Sequence, residues 1–356
     1  MSIVSETRTF DQVLSTTLDY YRPTLEDNIF KANPLFFKLR KSESVKYQDG
    51  GASIILPLMY GANNTAGWYE GDDTIDVSVQ EGISVAKYPW AQLAASISID
   101  RKTRRMNSGR SQIINLISAK IKQAEMTLFE TMNNQLYSTG RYSDAAAVTA
   151  ASKAMAGLGA ICSEAPDSYD VGGIDTSVYT WWQNKVGDDA GSALTWVDDM
   201  GDTPVLATGP VAMRELYAWC SKGTGGPPNF GFTTLGLFNG YEGYMASKQI
   251  YRDPEMAKMG FDNVQFRQST LFWDEAYTSN SITATNGLLT YAGMMLLNLN
   301  FIHLFIDSQT NFIRTPFQRP INQDTEAALI LWMGNLVTSK RSKHGVLAYG
   351  NITEIS

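Results

Sequence analysis

The side chains that most often carry chemistry are few in this chain, and their spacing does not suit it. Its two histidines, His303 and His344, lie in an apolar run and in a basic loop. Neither belongs to a GxSxG, HExxH or Walker pattern that would supply a nucleophile, a zinc pair or a phosphate cradle. The two cysteines, Cys162 and Cys220, are far apart and outside any CxxC spacing. They predict neither a disulfide framework nor a zinc site, and they fit a reducing compartment. Lys222-Gly223-Thr224-Gly225-Gly226 is glycine-rich like a phosphate loop but lacks the GK[ST] ending and a preceding strand. Asp188-Asp189 and Asp198-Asp199 are paired acids in polar turns, where a solvated surface loop is the ordinary reading. The sequence thus predicts no catalytic residue, no cofactor and no metal ion: the protein is expected not to be an enzyme.

Two charged clusters point instead to association. Arg101, Lys102, Arg104 and Arg105 crowd the start of a long helical pattern. Cations there oppose the helix dipole by roughly a few tenths of a kcal/mol each when exposed. They predict carboxylate partners on another segment or subunit, with a plain solvated basic face as the alternative. The second cluster is the turn region Gly61–Asp73, which holds Trp68, Tyr69, Glu70, Asp72 and Asp73 among Gly and Asn residues. That composition suits a hairpin tip. A strand is expected on its outgoing side over Ser53–Tyr60, with Pro57 favouring an edge. The return strand is expected over Ile75–Gln80, where Ile75, Val77 and Val79 alternate with Asp76, Ser78 and Gln80. Two strands bury too little to stand alone in water, so the ribbon must lie on its own domain or on another copy.

These clusters hang on a long helix expected over Ser108–Ser138, where Ile113, Ile117, Ile121, Ala124, Leu128, Met132 and Leu136 form one apolar stripe. Such a rod is roughly 45 Å long at ~1.5 Å rise per residue. Asn107 or Ser108 can cap it and Gly140 can end it. Before it, short helices are expected at Phe10–Tyr20 and Thr24–Phe30, then the bulky Leu35, Phe36, Phe37 and Leu39, which need a covering surface from this chain or another. After it come an α/β region, with Trp181-Trp182 as a packing anchor and a helix over Gly209–Cys220, and then a run of strands.

The 356 residues suffice for two packed units, and 44% hydrophobic with 18% charged residues describes a globular chain. A net charge of −7 gives no strong nonspecific grip on nucleic acid. The start lacks a basic n-region with an apolar core, and no apolar run reaches ~18 residues, so a soluble, unsecreted chain is expected.

Four stretches resemble, in wording and in order, one branch of the HK97-type major capsid proteins of tailed bacteriophages. They are GWYEGDD (67–73), GGIDTSVYTWW (172–182), MGFDNVQFRQSTLFWDE (259–275) and TPFQRPINQDTEAALILWMGNLVTSKRSKHGVL (315–347). The resemblance implies an α+β HK97-like capsid fold. Its parts would be an N-terminal arm over residues 1–45, an E-loop over 46–98 and a P-domain over 99–175 carrying the spine helix 108–138. An A-domain over 176–299 and closing P-domain strands over 300–356 complete it. It implies hexamers and pentamers tiling an icosahedral shell around double-stranded DNA held without sequence specificity, in a virion assembled in the host cytoplasm with no membrane. The implied subunit contacts are Trp68, Tyr69, Glu70, Asp72, Asp73, Arg101, Arg104 and Arg105. No long scaffolding-like segment precedes the arm, so a separate scaffolding protein is expected, together with a portal protein and, where one is used, a decoration protein. No motif for a Lys–Asn crosslink can be placed. An encapsulin-like compartment subunit is the nearest alternative, and an α+β enzyme or binding protein the more distant one.

Overall fold

Gly, Pro and Asn cut the chain into short extended runs, and among the described residues strands make up more of the regular structure than helices do. The computed structural model describes residues 35, 38, 39, 42, 44–106, 116–138, 153–163, 165–167, 170–187, 196–197, 209–246, 257, 262–274, 292–319 and 324–350. In chain order these form β1 (Val45–Gln48), β2 (Ile54–Met59), β3 (Ile83–Tyr88), β4 (Ala91–Asp100), α1 (Arg101–Met106), α2 (Leu116–Tyr137), α3 (Leu158–Ile161), β5 (Lys185–Val186) and β6 (Trp196–Val197). There follow α4 (Gly209–Ser221), β7 (Phe230–Thr233), α5 (Leu235–Ala246), β8 (Asn263–Phe266), β9 (Ser269–Trp273), β10 (Ala292–Leu297), β11 (Ile302–Asp307), β12 (Ile313–Arg314), β13 (Thr325–Thr338) and β14 (Gly345–Gly350). The expected arm helices, the helix caps at Asn107, Ser108 and Gly140, and the acidic pairs near 188 and 198 lie outside the described residues.

A five-stranded sheet is built on β13, which pairs with β4 from Thr325↔Asp100 to Gly334↔Ala91 and with β11 from Gly334 to Thr338. Ile330 faces Ala95 of β4 and Arg314 of β12, so those two strands flank opposite edges of β13. β1 adds parallel to β11. The segment 46–98 is thus divided between this sheet and a separate ribbon. β1 and β4 belong to this sheet, because β4 turns Ala91, Ile97 and Ile99 inward against the core while its polar positions face out. Only β2 and β3 form a separate two-stranded ribbon.

The second sheet has seven strands in the order β5-β14-β10-β7-β9-β8, with β6 also on β14, and α4 and α5 pack against it through Met213, Leu216, Leu237, Phe238 and Tyr241. The strands expected after residue 300 are present: β11, β12 and β13 lie in the five-stranded sheet, and β14 pairs with β10 in the seven-stranded one. The expected apolar stripe of the long helix is present in α2: Leu128, Met132 and Leu136 are buried, Ile117, Ile121 and Ala124 half-buried. Its C-terminal half lies where the two sheets meet, among Phe230, Phe232, Phe272, Leu297 and Trp332, and Leu35 and Leu39 are buried in the same core. The covering surface for those two arm residues is thus this chain.

The chain crosses between the sheets at two neighbouring turns, and polar side chains hold them. Asn298, between β10 and β11, donates its Nδ2 to the carbonyls of Gly225, Gly226 and Pro227. Between β13 and β14, Arg341 donates to the carbonyls of Ala160 and Ile161 and to Asn184, and Lys343 Nζ donates to the carbonyls of Ser221, Lys222 and Gly223. Lys343 thus satisfies the open carbonyl end of α4. The glycine-rich stretch after Lys222 has the opposite polarity to a phosphate cradle: its carbonyls point at a lysine and an asparagine, where a phosphate needs N–H groups.

His344 lies fully buried in this turn, its Nδ1 accepting from the Asn298 N–H at 3.2 Å and its Nε2 3.2 Å from Thr338 Oγ1. Burial first, then the charge of Arg341, lowers its pKa from 6.5 to about 3. The folded state therefore favours neutral His344. Above pH 6.5 both states carry the neutral ring and stability is undiminished; as the pH falls from 6.5 toward 3 the unfolded chain takes up a proton that the fold excludes, and stability falls by several kcal/mol. Urea midpoints measured from pH 7 to pH 4 should fall, and His344→Gln should show a flatter pH slope than the unmodified protein. Equal slopes would place the acid sensitivity elsewhere.

Candidate subunit interface

The base of the β2–β3 ribbon is firmly held. One face buries Ile54, Leu58, Ala86 and Tyr88 against Val171, Ile174, Trp182 and Val337. Tyr88 Oη donates to the Thr338 carbonyl, the Trp182 indole N–H to the Val171 carbonyl and the Lys87 N–H to the Gly172 carbonyl. Gly172 and Gly173 both take positive φ, and a Cβ on Gly172 would come within 3.0 Å of Ala86 Cβ, so the tight turn that meets β3 requires glycine there. Tyr60 stacks on Trp181 at 4.7 Å, and its N–H donates to the Gly82 carbonyl, closing the last rung.

Beyond that rung the support ends. The alternating stretch Ile75–Gln80 is not a paired strand, contrary to expectation; the return strand is β3, which begins at Ile83 opposite Met59. The physical reason lies in the outgoing side, where Gly61, Asn63, Asn64, Gly67 and Gly71 have poor strand propensity. Short polar side chains also capture the backbone locally: Asn63 Oδ1 accepts from the Thr65 N–H, Asp73 Oδ2 from the Glu70 N–H and Asp76 Oδ1 from the Ser78 N–H. The alternating side chains are left in solvent. Trp68 is fully exposed, Tyr69 is exposed, and Val77 and Val79 are 89% and 94% exposed. The outer face of the ribbon continues this surface with Ile55, Met59, Ile83 and Val85. Sequence alternation marks these residues as one face of a strand, but it carries no signal of which face the chain covers.

The basic cluster finds acids on another segment of the same chain. Arg101 lies 3.7 Å from Asp324, and Arg104 pairs with Glu326, which also accepts from Arg319 at 2.8 Å. Those partners were not singled out in the sequence. Glu326 has its pKa lowered, first by the Arg319 hydrogen bond and also by Arg104, so the contact strengthens above the carboxylate range and is lost in acid. These pairs are exposed to solvent, so each contributes little to stability. Arg105 is also exposed on α1. Arg101, Arg104 and Arg105 lie on α1, after β4, and Trp68, Tyr69, Glu70, Asp72 and Asp73 lie between β2 and β3, so the two clusters sit on different elements. No group of three or more His, Cys, Asp or Glu side chains that could hold a metal occurs among the described residues, and no helix among them is long and apolar enough to cross a membrane.

No protein-family model matches the chain, and a search of curated proteins finds no match. Solved structures do match. A chain in the cyanophage A-1(L) capsid asymmetric unit aligns with a TM-score of 0.63 at 15% identity, covering 95% of this chain and 97% of that one. A chain in the capsid of a native GTA particle aligns at 0.52 and 8%, covering 93% and 96%, and a structure from Mycobacterium phage Bobi at 0.52 and 9%, covering 94% and 96%. At such low identity what is shared is the architecture, and the expected likeness to phage capsid chains is borne out at that level: this α+β chain has the fold of a chain in the cyanophage capsid.

Proposed function

We propose that the chain is the major capsid protein of a tailed bacteriophage, a non-enzymatic subunit that assembles through hexamers and pentamers into an icosahedral shell around double-stranded DNA. The observation that carries this reading is the fold shared with a capsid chain over 95% of this sequence, joined to a ribbon whose tip and outer face are apolar and exposed. In it, β2–β3 with residues 60–82 serves as the E-loop, α2 as the spine helix of a P-domain on the five-stranded sheet, and the seven-stranded sheet as the A-domain. Trp68, Tyr69, Glu70, Asp72, Asp73, Arg101, Arg104 and Arg105 serve as subunit contacts. A net charge of −7 suits a shell that holds DNA without binding it by sequence. The partners are other copies, a separate scaffolding protein, a portal protein and, in shells that use one, a decoration protein; the place is the virion, assembled in the host cytoplasm.

The test is light scattering and electron microscopy of the concentrated protein, which should show rings or closed shells. A strictly monomeric species contradicts the reading. Shells from the native source should hold nuclease-protected DNA, and protein cargo in its place would make the chain an encapsulin-like subunit. Replacing Arg104 and Arg105 with Ala should leave thermal stability nearly unchanged, since exposed pairs are weak, yet reduce assembly and make it more salt-sensitive because the loss repeats at every contact. Unchanged assembly with reduced DNA retention would assign the cluster to DNA instead.

A further inference from the structure

At the crossing between the sheets, Arg341 and Lys343 are committed to carbonyls of the chain itself. Ser342, between them, lines an open cleft of some 730 Å³ whose other walls carry two lysines that are not so committed. They are Lys185 of β5 and Lys222, just past the end of α4, and the cleft also touches Trp181, Val186 and Trp219. Neither ammonium has a hydrogen bond or a carboxylate partner among the described residues, and none of the lining residues is acidic. The volume falls within the range of clefts that hold ligands, about 300 to 1,000 Å³. One wall holds an unanswered donor: the Trp181 indole N–H is buried without an acceptor, which a buried indole normally finds.

The cleft also follows a strand edge. Its lining takes in the consecutive residues 183–186, whose side chains alternate between the two faces of the sheet, so the opening runs along β5 and not over one face. β5 ends the strand order of the seven-stranded sheet, with β14 as its pairing partner. The N–H groups of Lys185 and Gly187 donate to the carbonyls of His344 and Val346 on the β14 side. Val186, between them, therefore turns its N–H and C=O outward, and no strand pairs with that edge among the described residues. An open edge of this kind is a template for one more strand.

We propose that the cleft receives an extended acidic segment of another protein, which pairs with the outward N–H and C=O of Val186 and sets carboxylates against Lys185 and Lys222. Charge alone would admit a nucleic-acid phosphate equally. The unpaired strand edge favours a peptide, because a peptide backbone offers an N–H and a C=O in register with it. Trp181 and Trp219 supply apolar walls for the remaining side chains of the segment. The inference does not rest on the shell-subunit reading, since one copy of the chain contains the whole cleft.

The probe is a fluorescein-labelled peptide of alternating Glu and Val, titrated with the full chain and followed by anisotropy at low and high salt. Saturable binding that weakens as salt rises is expected. Lys185→Gln and Lys222→Gln should each weaken it by about threefold and together by about tenfold, and exchanging the peptide's Glu for Gln should cost as much. Methylating the peptide's backbone nitrogens keeps its charge but removes the N–H groups needed for pairing, and should abolish binding. The unmethylated peptide should slow hydrogen exchange of the Val186 amide. Circular dichroism of each variant establishes that it is folded. Equal affinity for the methylated peptide, or for the protein lacking both lysines, overturns the proposal. So does an oligodeoxythymidylate that binds more tightly and displaces the peptide, which gives the cleft to nucleic acid. Binding seen only after Asp188→Asn and Asp189→Asn gives it to this chain's own acids and overturns the proposal too. Peptide binding by a protein that never assembles upholds the proposal and removes only the shell reading, and assembly without peptide binding does the reverse.

Discussion

Arg341→Met should lower the melting temperature by roughly 3 to 5 °C, a large loss for one substitution in a chain of this length. Met keeps much of the volume and removes the charge, which spares the cost of desolvating a guanidinium and so acts in the variant's favour. Against that stand the carbonyls of Ala160 and Ile161 at 2.9 Å and Asn184 Oδ1 at 3.1 Å, all inside a turn where Arg341 is fully buried. A buried acceptor left without its donor costs about 1 to 3 kcal/mol; the Ala160 and Ile161 carbonyls lose theirs while Asn184 Oδ1 keeps the Ser163 N–H, so the loss exceeds the recovered desolvation by roughly 2 to 3 kcal/mol. At about 2 to 4 °C per kcal/mol for domains of 150 to 250 residues, and less for longer chains, that gives the stated fall. Arg341→Lys should be nearly as damaging, because an ammonium cannot reach the fork of acceptors that a planar guanidinium spans. Arg341→Met also removes the positive charge that helps to hold His344 neutral, so the acid sensitivity of the fold should weaken with it. Calorimetry at pH 7 and pH 5 measures both effects. A melting temperature within 1 °C of the original at pH 7, as an order-of-magnitude criterion, would mean that packing and not this clamp holds the two crossings together.

The clamp also shows where reading the sequence stops. KRSKHG is legible as a basic turn, but nothing in it says that its cations point inward, because their partners are carbonyls at the ends of helices far away in sequence. The same holds for the arginines of α1. Their need for carboxylates is legible from the helix dipole, yet the carboxylate that meets Arg104 lies 222 residues away. Periodic features fare better: the α2 stripe from Ile117 to Leu136, the helix α4 and the anchor Trp182 follow from spacing and side-chain size, and the structure places them as expected. Alternation alone misleads at Ile75–Gln80, because it specifies a face and not a pairing partner. Strand β14 escapes for a related reason: Val346 and Leu347 are apolar enough for either sheet, and the buried turn before them decides which one they join.

Replacing Gly61–Glu81 by a two-residue Asn-Gly turn should abolish assembly while leaving a folded, soluble subunit. Tyr60 and Gly82 stay in place, so the last rung of the ladder and the Tyr60–Trp181 stack are kept, and Asn-Gly suits the tight turn that a two-residue hairpin needs. The deleted stretch adds nothing to the described core, since Trp68, Tyr69, Ile75, Val77 and Val79 are all exposed. Their removal should therefore leave far-ultraviolet circular dichroism and the melting temperature nearly unchanged, with solubility the same or better. Assembly is another matter. If the aliphatic residues of one tip are buried on a neighbouring copy, each contributes up to about 1.5 to 3 kcal/mol, so losing three of them weakens every contact by several kcal/mol. Since about 1.4 kcal/mol is a tenfold change in affinity, the shortened protein should remain monomeric at concentrations where the full chain closes shells. Light scattering and electron microscopy on both proteins decide the matter. An unfolded or aggregating product would return the tip to the intrachain core, and normal shells from the shortened protein would remove it from the assembly contacts.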